Sequence, residues 1–245
     1  MPRNIYTKGL LGFILIMVLS GCMYPQDELS KNKIPNEDQL LTVQNAVEEF
    51  VKDSGGLLPI KTKEADVDIY EKYSIDFSKL TEGGFLSEIP GNAYENGGIY
   101  SYTIINAEDN PEVKLIDLQL SEKIRDINVK LDIYRSKNLY PPYGEEVEKG
   151  LFTINFEKLK YKEDQYVISP YTQNKLPFIM NTDGQVFIDY RNDFMTIMEE
   201  NDVDFKDNED IRYIYHEVSP FVPVYSLPYK VENNEPIFKW EFFYQ

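Results

Sequence analysis

Leu176-Pro177-Phe178-Ile179-Met180-Asn181-Thr182-Asp183-Gly184-Gln185-Val186-Phe187-Ile188-Asp189-Tyr190 is the stretch whose reading decides the fold. Apolar and β-branched residues flank an Asp-Gly pair, which tolerates the positive φ angles of a tight hairpin turn. The stretch predicts two antiparallel strands turning at Asp183-Gly184. Working outward, Asn96-Gly97-Gly98 stands before Ile99-Tyr100-Ser101-Tyr102-Thr103-Ile104-Ile105, which predicts a hairpin around Asn96-Gly97. Leu227-Pro228-Tyr229-Lys230-Val231-Glu232, Asn233-Asn234 and Glu235-Pro236-Ile237-Phe238 predict another around Asn233-Asn234.

Helical spacing alternates with these strands. Asn36 as a cap, Gln39 three residues on, then Leu40, Val43, Val47 and Phe50 predict a helix over 37–53 that stops at Gly55-Gly56. Between Ser121 and Arg135 two readings stand: Ile124, Ile127, Leu131 and Tyr134 fit a helix, whereas Ile127, Val129, Leu131 and Ile133 fit a strand. Internal recurrence favours the helix. Leu139-Tyr140-Pro141-Pro142 stands where Leu57-Leu58-Pro59-Ile60 stood, and Ile154-Asn155-Phe156-Glu157-Lys158-Leu159 mirrors Ile75-Asp76-Phe77-Ser78-Lys79-Leu80. The expected fold is therefore α+β, antiparallel sheets with helices, in two to three degenerate helix-plus-hairpin repeats. Residues 37–117 form the first unit, 118–190 the second, and 191–245 a partial third packed with the others.

Residues 1–36 read differently. Arg3 and Lys8 precede an apolar run from Gly9 to Leu19, followed by Ser20, Gly21 and Cys22, the pattern of a cleaved signal peptide over 1–21. The run is shorter than the ~20 residues a membrane-spanning helix needs. Leu19-Ser20-Gly21-Cys22 resembles the lipobox of bacterial lipoproteins. That resemblance implies a diacylglyceryl group on the Cys22 sulfur, cleavage before Cys22, acylation of the new amino terminus, and residence on the extracytoplasmic face of the cell membrane. Residues 22–36, with two prolines and little periodicity, read as the lipidated cysteine and a tether, with a reach of ~45 Å at most when extended. More broadly the chain resembles the uncharacterised lipoproteins of Bacillus-type bacteria, a family that implies a location and no activity. Gln44-Asn45-Ala46-Val47-Glu48-Glu49-Phe50, Asp53-Ser54-Gly55-Gly56-Leu57-Leu58-Pro59 and Gly84-Phe85-Leu86-Ser87-Glu88-Ile89-Pro90 look like the periplasmic portion of type II secretion pseudopilins. The chain lacks that family's prepilin peptidase site and long hydrophobic helix.

Removing residues 1–21 leaves 23 basic against 42 acidic side chains, a net charge of −19 where the whole chain carries −17. That sign disfavours nucleic acid, which demands Lys and Arg against phosphates, and predicts a body that stands off anionic lipid. The single cysteine excludes a disulfide within the chain. The 19 Tyr and 14 Phe favour strands with aromatic faces.

Catalytic chemistry has few candidates. His216 is the only histidine; Tyr213-Ile214-Tyr215-His216-Glu217-Val218 alternates like a strand, and no Gly-x-Ser-x-Gly elbow or phosphate-binding glycine loop accompanies it. No Cys/His set for zinc is present and no cofactor is implied. Asp202, Asp204 and Asp207 give a run with the oxygen density calcium favours, without the glycine of the EF-hand loop. Tyr140 and Tyr143, in Tyr140-Pro141-Pro142-Tyr143-Gly144, are candidate stacking residues for a sugar or peptide. These features weigh against an enzyme. They favour a non-catalytic interaction or assembly module of the cell envelope, held to the membrane by lipid and partnered by an envelope protein or glycan. The alternative is an envelope enzyme or glycan-binding lipoprotein using carboxylates and tyrosines.

Overall fold

Val43, Ala46 and Val47 bury one stripe of α1 (Asn36–Asp53), with Leu40 and Phe50 half-buried beside them. The helix ends where Ser54 N donates to Phe50 O and Gly56 N to Val51 O, both at 2.8 Å, with Gly55 and Gly56 at φ 71° and 101°. The computed structural model describes residues 36–61, 67–201, 205 and 208–239. Cys22 and the acidic residues Asp202, Asp204 and Asp207 lie outside the described residues.

After α1 the chain forms α2 (Phe77–Glu82), then β1 (Tyr100–Ile105) and β2 (Glu112–Asp117). β1 and β2 pair antiparallel from Tyr100 opposite Asp117 to Ile105 opposite Glu112, so this hairpin turns over 106–111. The expected turn at Asn96-Gly97 is corrected. Asn96 closes a short 3-10 turn (Tyr94–Asn96), Gly97 follows at φ 84°, and among the described residues no strand precedes the pair to be joined to β1. Gly98 serves a close approach: a Cβ there would stand 2.1 Å from the backbone of Asn92.

The ambiguous stretch is helical. In α3 (Leu118–Arg135) the side chains of Leu120, Ile124, Ile127 and Leu131 are buried, while Val129 and Ile133, which only a strand would have turned inward, are each 54 % exposed. Five strands follow: β3 (Tyr143–Glu148), β4 (Leu151–Ile154), β5 (Tyr166–Ile168), β6 (Lys175–Asn181) and β7 (Val186–Ile188). All pairings are antiparallel, with β6 contacting β4, β5 and β7. Its hairpin with β7 turns at Asp183-Gly184 as expected, Gly184 at φ 79°.

The last third contains α4 (Arg191–Glu200), α5 (Arg212–Val218), β8 (Tyr229–Glu232) and β9 (Glu235–Phe238). β8 and β9 pair through Asn233 and Asn234 at φ 52° and 65°, angles that a type I′ turn demands and Asn accommodates. The strand expected around His216 is instead α5. Ile211, Ile214 and Tyr215 are buried and Val218 half-buried, and this 3.6-residue spacing overrides the local alternation.

Three geometric features recur. α1 lies on β2, α3 on β7 and α4 on β9, so a helix covers the second strand of each hairpin. Ile60 bridges Ile75 and Ser74 bridges Thr103 of β1; likewise Tyr143 faces Ile154 and Thr153 faces Ile179 of β6. Asp76 N donates to Pro59 O at 2.8 Å and Asn155 N to Pro142 O at 2.9 Å. Finally, Asp76, Asp117, Asp189 and Asp210 each accept from the backbone N–H two residues on, at 2.9 to 3.2 Å, at the starts of α2, α3, α4 and α5. The described residues from Asn36 onward make one compact unit with a single core cluster.

Candidate functional site

The side of α3 flanking its buried stripe carries Lys130, Ile133, Tyr134 and, one turn on, Lys137. Opposite it lies the turn at 156–161, which buries Phe156 and Leu159 and presents Lys158 and Lys160. Between them runs a groove of about 530 Å³ lined by these four lysines with Ile133 and Tyr134. Lys130 rests its Nζ 3.6 Å from the ring centroid of Tyr161, whose hydroxyl donates to Asp126 at 2.5 Å. Among the described residues, the side chains of Lys137, Lys158 and Lys160 enter no hydrogen bond or ion pair. The apolar rim continues past the helix: Leu139 is fully exposed and Tyr140, 57 % exposed, stands beside Tyr134.

The backbone of the 156–161 turn is informative. Tyr161 N donates to Phe156 O and Lys160 N to Glu157 O, with Lys160 at φ 66°. The corresponding turn after α2 bonds Phe85 N to Leu80 O and Gly84 N to Thr81 O, with Gly84 at φ 76°. One turn places glycine in the left-handed region, where it fits without a steric cost; the other places a lysine there and aims it at the groove.

A second cleft, of about 270 Å³, holds His216 with Tyr70, Tyr73, Ile104, Asp210 and Arg212. Arg212 grips Asp210 through Nε and Nη2, at 2.7 Å for the shorter arm, and its guanidinium lies 5.9 Å from the Tyr70 ring centroid. Burial, and then the cations Lys114 and Arg212, push the His216 imidazole down to about 4, so it is neutral at pH 7. Its ring meets Tyr70 edge-on at 6.4 Å, and its backbone carbonyl accepts from Lys114 Nζ. Asp68 behind it accepts from Tyr70 N and Tyr225 N, each at 2.9 Å, tying two loops together. Among the described residues, the cleft lining contains no Ser, Thr or Cys to act as a nucleophile for His216.

The buried network around Asp193 is a structural pin. Asp193, in the first turn of α4, accepts from Ser169 Oγ and Thr172 Oγ1 at 2.5 Å each, and both Ser169 and Asp193 are closed to solvent. Burial raises the Asp193 carboxyl above its ordinary range. Ser169 and Thr172, with Tyr215 3.2 Å from Ser169 Oγ, fix the turn joining β5 to β6.

Of the residues singled out in the sequence, Tyr140 stands beside Tyr134 of the lysine groove without lining it, and Tyr143 lies elsewhere. The Tyr143 hydroxyl donates to Thr182 O at 2.5 Å and its ring packs 4.7 Å from Phe152, so it braces β3 against the β6–β7 turn. His216 lies in the other cleft. Sequence reasoning missed Lys130, Lys137, Lys158 and Lys160; the acid-poor run Lys158-Leu159-Lys160-Tyr161-Lys162 was a signal that the overall charge obscured.

The ends of the first helix-and-hairpin segment, Asn36 and Asp117, bear on comparison with known proteins. Residues 36–117 match the YphF family N-terminal domain. That match stops where β2 gives way to α3, so the lysine groove lies beyond it. No curated protein and no solved structure matches the chain.

Proposed function

We propose that this chain is a lipid-anchored lipoprotein of the extracytoplasmic face of the cell membrane. Its body, built of two to three degenerate helix-plus-hairpin units, is a non-catalytic interaction or assembly module of the envelope. The observation carrying the second part is the exposed apolar side of α3 and the loop after it: Val129, Ile133, Leu139 and Tyr140 face outward although the core beneath is already closed by Ile124, Ile127 and Leu131. A contiguous apolar surface rimmed by polar groups marks an interaction face. The anchor rests on Leu19-Ser20-Gly21-Cys22 and the charged and apolar residues before it.

Supporting the non-catalytic reading, Ser169 and Asp193 are sealed from substrate and the Arg212 guanidinium is held by Asp210. The test combines two readouts on the full chain in growing cells. Radiolabelled palmitate is expected on the wild type and absent from Cys22→Ala; labelling that persists in the variant contradicts the anchor. A photo-crosslinking residue at Ile133 is expected to capture an envelope component, whereas one at the exposed Leu57 is not. Equal capture from both positions contradicts the interaction face.

A further inference from the structure

We propose that the lysine-lined side of α3 is a membrane-docking surface, with the phosphates of an anionic phospholipid headgroup layer as its occupant. The proposal rests on the lipid-anchored reading for its location and names the partner of the face just described. The chemistry is that of an interfacial amphipathic surface, in which cationic side chains meet phosphates while apolar and aromatic side chains enter the headgroup layer. Lys137, Lys158 and Lys160 supply charges with no counter-ion among the described residues, and Leu139, Ile133 and Tyr140 supply the apolar contact. Tyrosine suits such a layer because its ring is apolar and its hydroxyl is not.

The net charge of −19 on the processed chain does not oppose this. At physiological ionic strength the field of an exposed charge decays over ~8 Å. A bilayer touching the groove therefore meets the four lysines that line it, and no carboxylate lines it with them. The exposed Asp132 and Glu157 sit beside Ile133 and Lys158 in sequence and subtract from that attraction, while carboxylates farther off are screened.

A protein or glycan partner would not demand this combination. A glycan needs flat aromatic platforms and hydrogen-bonding pairs, and three unpaired lysines contribute little to neutral sugar. A second copy of the chain could offer carboxylates, and the test separates it. Lys160 stands in the left-handed region where the first unit's turn has Gly84.

The experiment uses the full chain, processed and lipidated in its own cells, purified and returned to vesicles. An environment-sensitive fluorophore is placed at Leu139→Cys, with Leu41→Cys as the exposed control on α1. In vesicles containing one-third phosphatidylglycerol, the Leu139 probe is expected to shift to the blue and to be quenched by brominated lipid; in phosphatidylcholine alone it is not. Lys137→Glu with Lys160→Glu should reduce the docked fraction more than ten-fold, since each lysine near an anionic surface is worth roughly five-fold. Half-molar salt should have the same effect.

A probe that stays in water on anionic vesicles overturns the proposal. So does a shift that is equal in both lipids and grows with protein density, which would assign the face to a second copy. Failure of the anchor reads out separately, as the absence of diacylglyceryl mass on Cys22. The circular dichroism of each variant, compared with the wild type, shows that the body is folded, and every substituted residue is exposed or at the groove's mouth.

Discussion

Lys160 occupies the left-handed region at φ 66°, and a side chain held there costs on the order of 1 kcal/mol relative to glycine. Lys160→Gly is expected to stabilise the fold by about 1 kcal/mol, read as a higher urea midpoint, while weakening docking on anionic vesicles. The two effects have opposite signs, so one variant separates the structural demand from the functional one. His216 gives a second prediction. Its folded pKa of about 4 lies below the ordinary 6.5, so the unfolded chain binds the proton more tightly. The stability this provides is full above pH 6.5 and is lost as pH falls toward 4. His216→Gln should therefore show a shallower decline in urea midpoint over that window; an unchanged slope would mean the imidazole is as solvated as a free one. Asp193 has the opposite sign, because burial raises its carboxyl: its favourable contribution is complete below the ordinary carboxylate range and is lost as pH rises through the raised value.

At the scale of elements, Asp76 and Asp117 cap α2 and α3 with their side chains, while Asp189 and Asp210 stand one residue earlier and also bind Arg191 and Arg212. Asp76→Ala removes the acceptor for Ser78 N and should destabilise by about 1 kcal/mol in a thermal melt. Gly98→Ala should cost about 3 kcal/mol, because the new methyl meets the backbone of Asn92 and not a movable side chain. These elements also show what was legible in the sequence. The helix over 37–53 and the tips at Asp183-Gly184 and Asn233-Asn234 were readable because glycine, asparagine and apolar spacing act locally. The turn of the β1–β2 hairpin was not. Asn96-Gly97-Gly98 has a turn's composition, but its glycines serve a close approach to Asn92, a contact visible only in three dimensions. Tyr213 to Val218 alternates like a strand, yet is helical because Ile211, Ile214 and Tyr215 share one buried stripe, which takes in a residue ahead of the alternating run.

For the whole molecule, average charge hides how side chains of one sign gather. A chain at −17 gives no sign of a local cationic cluster, yet the turn after β4 brings Lys158 and Lys160 across from Lys130 and Lys137, residues more than twenty positions away in sequence. Tyr140 was visible as an exposed aromatic; its lysine neighbours were not, because no spacing rule links α3 to that turn. Amide hydrogen exchange on the lipidated full chain, bound to vesicles with and without phosphatidylglycerol, tests the account most directly, since exchange slows wherever a surface is covered or held. The account predicts slowed exchange in 129–140 and 156–161 on anionic vesicles alone, with α5 and the His216 cleft unchanged. Protection confined to the His216 cleft, with α3 exchanging equally on both lipids, would contradict it.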